Sequence, residues 1–143
     1  MAARPDRGTA PESLWKAGLK ALVGSLAATL VVCSLALAAF AIPTEFPPLA
    51  GPGPTIVFTT AGALGATGVL AVIRWRSERP ACLFRRVAVW TLLASLVPDL
   101  WLLTDAAATA FPGATAAGVG TLMAMHLAAA AAIVWALAPA RSG

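Results

Sequence analysis

Charged residues are scarce in this chain: 11% of it is Asp, Glu, Lys or Arg, whereas 59% is hydrophobic. Soluble domains typically carry about a quarter charged residues. The few charges leave four apolar stretches without Lys, Arg or Glu, each long enough to cross roughly 30 Å of hydrocarbon, which needs about 20 helical residues. The composition therefore excludes an ordinary soluble domain and predicts an integral membrane protein.

Motifs typical of catalytic, metal-binding or cofactor-binding sites are equally scarce. The two cysteines, Cys33 and Cys82, do not form a CxxC pair, which excludes the usual redox and zinc motifs. One lies in a hydrophobic stretch and the other in a basic loop, so we expect no disulfide between them. The sequence contains no Gly-rich phosphate loop, metal cluster or Ser-His-Asp arrangement. We therefore predict no catalytic residue, metal site or cofactor, and a membrane-embedded enzyme is the least supported function.

Basic residues exceed acidic ones, giving a formal charge of +4. They lie in short segments beside the apolar stretches, without an aromatic-interleaved face, so we expect no nucleic-acid partner. All ten Lys and Arg residues lie in the N-terminal segment, the middle loop and the C-terminus, and none lies in 43–54 or 105–113. Because Lys and Arg are retained in cytoplasmic loops, this distribution predicts both termini and the middle loop on the cytoplasmic side.

The predicted fold class is all-α, a four-helix transmembrane bundle with two outward hairpins. We expect helices at about 18–42, 55–75, 85–104 and 114–138 within a transmembrane domain over 15–139. A disordered cytoplasmic tail over 1–14 and a second tail over 140–143 flank that domain, and Thr9 and Glu12 fit a capping box before the first helix. Ala39-Phe40-Ala41 is typical of a signal-peptide cleavage site, but the apolar stretch before it, about 20 residues, exceeds the roughly 7–15 of a signal peptide.

Asp99 is the most informative position, because a carboxylate within a membrane helix is costly and usually faces the bundle interior. Thr91, Ser95 and Asp99 recur every four residues and so share one helix face. Pro98 beside them leaves the carbonyl of Ala94 without its helical donor. One interpretation is a proton or cation site. The alternative is a carboxyl group near the surface, hydrated or bonded to a neighbouring hydroxyl.

His126 is the single histidine and lies near the middle of the fourth predicted helix. Counted along the helices, it should lie roughly 10 Å deeper than Asp99, so a direct pair would need a tilt or a bridging water. It could be a proton-relay group or a ligand, or it could form a structural bond between helices. The predicted ligand-binding or proton site consists of Asp99, His126, Ser95, Thr91, Thr59 and Thr60.

Small residues form rows on three predicted helices. Such rows let helix backbones approach closely in lipid, so we expect them to pack helices, within the chain or against a second protein. They are Ser25, Thr29 and Cys33 on the first helix, Gly62, Gly65, Ala66 and Gly68 on the second, and Ala124, Ala128, Ala132 and Ala136 on the fourth.

Four short motifs together resemble a known family. They are Ile42-Pro43, Thr59-Thr60-Ala61-Gly62-Ala63, Ser95-Leu96-Val97-Pro98-Asp99 and Met125-His126. Over about residues 18–139 the chain resembles a family of actinobacterial four-helix membrane proteins, known as a domain of unknown function. The resemblance implies the four-helix fold and an interest in Asp99 and His126, but no reaction. The Ala-rich, Arg-over-Lys composition also suits a high-GC bacterium, so we expect a multi-pass protein of the bacterial cytoplasmic membrane.

Two functions follow. The first is binding or transport of a small ligand or proton through a polar intramembrane centre. The second is a structural or accessory role, in which the protein packs against another membrane protein through its small-residue faces. The expected partner in both is the lipid bilayer, with a second copy or a different membrane protein as the protein partner.

Overall fold

The computed structural model describes residues 13–104, 107 and 110–139. Over these ranges the secondary structure consists of four α-helices and one 3-10 turn at Pro47–Leu49, with no strand. The helices are α1 (Leu14–Ala39), α2 (Pro52–Arg76), α3 (Pro80–Trp101) and α4 (Ala116–Leu137). The tail with Thr9 and Glu12, the loop residue Asp105 and the tail over 140–143 lie outside the described residues.

All four helices are long and apolar enough to cross a membrane. This confirms the prediction of a four-helix transmembrane bundle. Large apolar side chains such as Phe58 (76% exposed) and Leu64 (60% exposed) point away from the bundle. In a membrane protein these side chains contact lipid, since hydrocarbon is as apolar as they are.

Proline sets the first turn of two helices. Pro52 and Pro80 occupy the first positions of α2 and α3, where the missing N–H has no helical partner to lose. Helix α4 begins differently: the Oγ1 of Thr115 accepts a hydrogen bond of 3.1 Å from the backbone N–H of Gly118. This side-chain cap satisfies one of the free N–H groups of the first turn.

Helix α1 is central, packing chiefly on α4 and next on α2. Its buried face is a row of small residues, Ala17, Ala21, Ser25, Thr29 and Cys33, one turn apart. Backbones come close there: a Cβ on Gly18 would lie 2.9 Å from the Cγ2 of Thr67 on α2. The small-residue row of α1 is therefore the seam of the bundle.

Two apolar clusters close the ends of the bundle. At one end the C-termini of α2 and α4 meet the N-termini of α1 and α3, around Phe84, which is 2% exposed. We call it the basic end, since Lys16, Lys20 and Arg74 to Arg86 all lie there. Arg85 links α3 to the end of α4 there: its Nε and Nη2 donate to the carbonyl of Ala138 at 3.1 and 2.8 Å. A cation there satisfies a free carbonyl at the negative end of the α4 dipole.

At the other end, which we call the loop end, Phe46 is completely buried. It packs with Leu49, Leu102, Ala107, Val119 and Met125. Two glycines make room for it: a Cβ on Gly118 would lie 3.1 Å from the Cδ1 of Phe46, and one on Gly113 would lie 3.2 Å from its backbone nitrogen. Gly113 also has a φ of 77°, which favours glycine. The proline-rich loop therefore folds back onto the helices.

Helix α3 is the least enclosed of the four. Among its residues only Phe84 and Asp99 are buried, one near each end, and its main partner is α4. Pro98 lies inside the helix beside Asp99. The burial of Asp99 is therefore one of the contacts that hold α3 to the bundle.

Candidate functional site

Asp99 and His126 meet between α3 and α4. The Oδ2 of Asp99 lies 2.9 Å from the Nδ1 of His126, and the Asp99 side chain is only 7% exposed. The two groups meet directly, without a bridging water. The depth difference of roughly 10 Å counted along the helices then leaves the other alternative, a tilt or an offset between the two helices.

An offset between α3 and α4 accounts for the contact if the two helices are near-antiparallel. His126 follows the first residue of α4 by ten positions, while Asp99 precedes the end of α3 by two. With that packing, a contact between them places the start of α4 roughly 12 Å beyond the end of α3. Leu102 and Ala107, in the segment between the helices, are buried in the cluster at the loop end.

The Nδ1 of His126 faces two oxygens. Besides Asp99, it lies 2.9 Å from the carbonyl oxygen of Leu122, one turn earlier on α4. The ring plane aims Nδ1 at that carbonyl, so the Oδ2 of Asp99, although close, receives no well-aligned hydrogen bond from the described residues. A buried polar oxygen without such a bond is unusual in a folded protein.

One nitrogen between two oxygens requires a proton. Either the imidazole carries it on Nδ1, or the carboxyl group carries it and donates to the ring. In the first arrangement the ring N–H points at the carbonyl of Leu122, with the Asp99 carboxylate 2.9 Å away. In the second the proton lies between Asp99 and His126. The His126 side chain is 40% exposed against 7% for Asp99, so the ring is the more accessible partner.

The polar face of α3 reaches the bundle only at Asp99. Ser95 is half-buried, and its Oγ donates to the carbonyl of Leu92 at 2.7 Å. Thr91, one turn further on, is exposed. Because a serine can satisfy its hydroxyl on its own helix, neither residue needs a partner helix. The structure brings neither into contact with the Asp99–His126 pair in the part of the chain that it describes.

Thr59 and Thr60 lie on α2, where the seam of α1 passes. The Oγ1 of Thr59 is 3.4 Å from the Oγ1 of Thr29, which also bonds the carbonyl of Ser25 at 2.9 Å. Thr60 is half-buried. Thr59 therefore links α1 to α2, and among the described contacts neither threonine touches Asp99 or His126.

The glycines of α2 face outward. Gly62, Gly65 and Gly68 are exposed, and a Cβ on any of them would meet no described atom within 4 Å. Within the described chain they do not bring two helices together. Their role as a packing surface toward a second protein stays a prediction.

Three features of the described chain were missed by sequence reasoning. The carbonyl of Leu122 is a second partner of the imidazole, and Phe46 is buried at the loop end. Thr55, at the start of α2, is 4% exposed, and its Oγ1 has no hydrogen-bond partner among the described residues. Of the three, only Thr55 could have been recognised from the sequence, because its hydroxyl directly follows a proline at the start of a span.

Comparison with known proteins gives a family and no function. Residues 9–143 match a family described as "Family of unknown function (DUF6069)". No curated protein matches the chain. No solved structure matches it either. Since the match covers nearly the whole sequence, the chain belongs to the DUF6069 family of unknown function.

Proposed function

We propose that Asp99 and His126 form an intramembrane proton-binding site, through which the protein binds or transports protons. The observation that carries the proposal is the 2.9 Å distance between Oδ2 and Nδ1. A gap of that length is a hydrogen-bond distance and admits a proton but no larger ligand. Ionisable groups inside membrane segments are rare because of their cost and commonly belong to proton or ion pathways.

The setting that we propose is a bacterial cytoplasmic membrane with both termini inside. The described Lys and Arg residues all lie at the basic end of the bundle, whereas Glu45 lies in the loop at the other end. In this orientation Asp99 lies two residues from the external end of α3, while His126 lies ten residues into α4, near its middle.

Proton flux into liposomes that contain the purified protein and a pH-sensitive dye tests the proposal. We expect the substitutions D99N and H126A each to lower the protein-dependent flux on the order of 100-fold, the usual contribution of a positioned proton-transfer group. E45Q is the matched control, because it removes an exposed carboxylate from the same end and should leave the flux unchanged. Wild-type flux equal to that of empty liposomes, or full flux in D99N, would contradict transport through the pair.

Binding without transport has its own measurement. Because the chain has one histidine, ¹⁵N-histidine labelling gives the signals of a single ring, provided that purification avoids a histidine tag. We expect D99N to shift those signals and to change the pH at which they move, while E45Q leaves both unchanged. Signals identical in wild type and D99N would mean that the two groups do not share a proton.

The outward glycines support a second candidate, an accessory subunit that packs against another membrane protein or a second copy. Gly62, Gly65 and Gly68 offer the close backbone approach that helix pairs in lipid use, and no described residue fills it. We expect G65L to dissociate a complex isolated in mild detergent and D99N to preserve it. A27L, at an exposed position on α1 outside the small-residue rows, is the control. A wild-type chain that is monomeric in native membranes would exclude this role.

A further inference from the structure

A second polar site lies at the basic end, independent of the Asp99–His126 pair. A pocket of about 250 Å³ opens in the turn between α2 and α3. Its walls come from both sides of the turn and from one face of the first turns of α3. The lining residues are Ser77, Arg79, Cys82, Leu83 and Arg86.

The pocket carries positive charge that the described part of the chain does not neutralise. Residues 74–86 hold five arginines and one acid, Glu78. Arg85 is engaged by Ala138, and the guanidinium of Arg76 lies 5.2 Å from the centre of the Trp75 ring. Arg79 and Arg86 are exposed, and neither has an ion-pair or side-chain hydrogen-bond partner, Glu78 included, among the described residues. Two free guanidinium groups therefore flank one cavity.

Neutral donors add to the two charges. The Arg79 N-cap of α3 forms no side-chain capping bond, and the first turn contains no acid. The backbone N–H groups of Ala81 and Cys82 consequently have no helical acceptor, at the positive end of a 22-residue helix. The Oγ of Ser77 accepts from the N–H of Arg79 at 3.2 Å, which leaves its own proton to donate. The two guanidinium groups, the two N–H groups and the Ser77 hydroxyl thus each offer a proton or a positive charge.

The position of the pocket identifies the source of the anion. It lies where α2 and α3 leave the apolar segments, next to Trp75, which is 80% exposed. Indole rings prefer the headgroup level of a bilayer. Leu83, 41% exposed, gives the same pocket an apolar wall. A free anion in water makes no use of that wall, whereas a lipid places its phosphate and its first acyl carbons side by side.

We propose that this pocket binds the phosphate group of an anionic phospholipid, held by Arg79, Arg86 and the hydroxyl of Ser77. Arginine suits phosphate because its planar fork donates two parallel hydrogen bonds. Basic pockets between membrane helices recognise lipid headgroups in this way. Leu83 contacts the glycerol and upper acyl region of the bound lipid.

Cys82 supplies a built-in reporter. It lines the pocket and is exposed, whereas Cys33 is buried. The labelling rate of Cys82 with an uncharged, water-soluble maleimide can therefore be compared between nanodiscs of phosphatidylcholine and nanodiscs that also contain phosphatidylglycerol. One arginine near an anionic surface contributes about fivefold to binding. With two arginines, we expect labelling to be at least about fivefold slower with phosphatidylglycerol.

Two double variants, each lacking two arginines, show which arginines cause the slower labelling. R79Q/R86Q should label at the same rate in both nanodiscs, whereas R74Q/R76Q, which removes two arginines outside the pocket, should keep the slowing. Both variants retain Arg85, so the bond to Ala138 remains, and circular dichroism melting checks their folding. If R79Q/R86Q unfolds, the single variant R86Q replaces it and should lose most of the slowing of Cys82 labelling.

The outcomes separate the sources of phosphate. Slowing that disappears in R79Q/R86Q and persists in R74Q/R76Q supports the lipid site. If millimolar inorganic phosphate slows labelling in phosphatidylcholine discs and phosphatidylglycerol has no effect, the pocket binds phosphate and the lipid assignment is overturned. No slowing by either, or equal slowing in both double variants, would overturn the pocket as a site.

Discussion

Replacing Phe46 with alanine is expected to lower the free energy of unfolding by about 3–5 kcal/mol, the usual cost of removing a fully buried phenylalanine side chain. Phe46 has no exposed surface and joins the proline-rich loop to the ends of α1 and α4. Gly118 and Gly113 leave space shaped to its ring and backbone. A smaller side chain would leave a cavity that this rigid, proline-containing loop cannot collapse to fill.

Phe58 provides the matched control for Phe46. It is 76% exposed on α2, so F58A removes the same atoms from a surface that faces lipid. SDS titration of the purified protein in mixed micelles, followed by circular dichroism, measures both variants. A loss in F46A no larger than that in F58A would show that the loop contributes little to stability.

Replacing Ala21 with leucine should destabilise the bundle by about 1–3 kcal/mol or more, since three carbons must enter a packed seam. Ala21 is 0% exposed in the middle of the small-residue row of α1. The cluster around it includes Leu70, Phe84 and Leu137. A leucine there would push α1 away from α4, and the close backbone approach of the seam would be lost.

The same SDS titration tests A21L against A27L. Ala27 is exposed on α1, so the same substitution there places the added carbons in lipid and should cost little. Equal stability of A21L and wild type would mean that α1 and α4 are not tightly packed at the seam. Because A27L makes the same change in hydropathy and helix propensity as A21L, the comparison isolates the effect of position.

The number and character of the helices could be predicted from the sequence because lipid imposes a simple requirement. A segment that crosses hydrocarbon must satisfy its backbone internally and needs a fixed length of apolar residues. Charged and proline-rich segments then mark the connections. Helix α1 begins at Leu14, earlier than the predicted start near 18, because Trp15 and Lys16 can continue a helix at the membrane surface.

The members of the pair could be predicted, but their contact could not. Asp99 and His126 are conspicuous because ionisable groups are rare inside spans. Their meeting depends on how far α4 extends beyond α3, which is set by a connecting segment without periodic pattern. For the same reason the sequence did not predict that Phe46, an aromatic residue in a loop of prolines, is buried. The charge of Arg85 predicted the topology, but it did not predict the bond between Arg85 and Ala138.

The sparse burial of α3 has a mechanical consequence. Its two buried residues, Phe84 and Asp99, are fifteen positions apart, or roughly 22 Å along the helix axis. Phe84 is reinforced by the adjacent Arg85 bond. At the other end Asp99 lies beside His126, and Leu102, directly after the helix, is buried in the Phe46 cluster. A change in the protonation of the Asp99–His126 pair would therefore act on the end of α3 that packs against the proline-rich loop, and would leave the contacts around Phe84 unchanged.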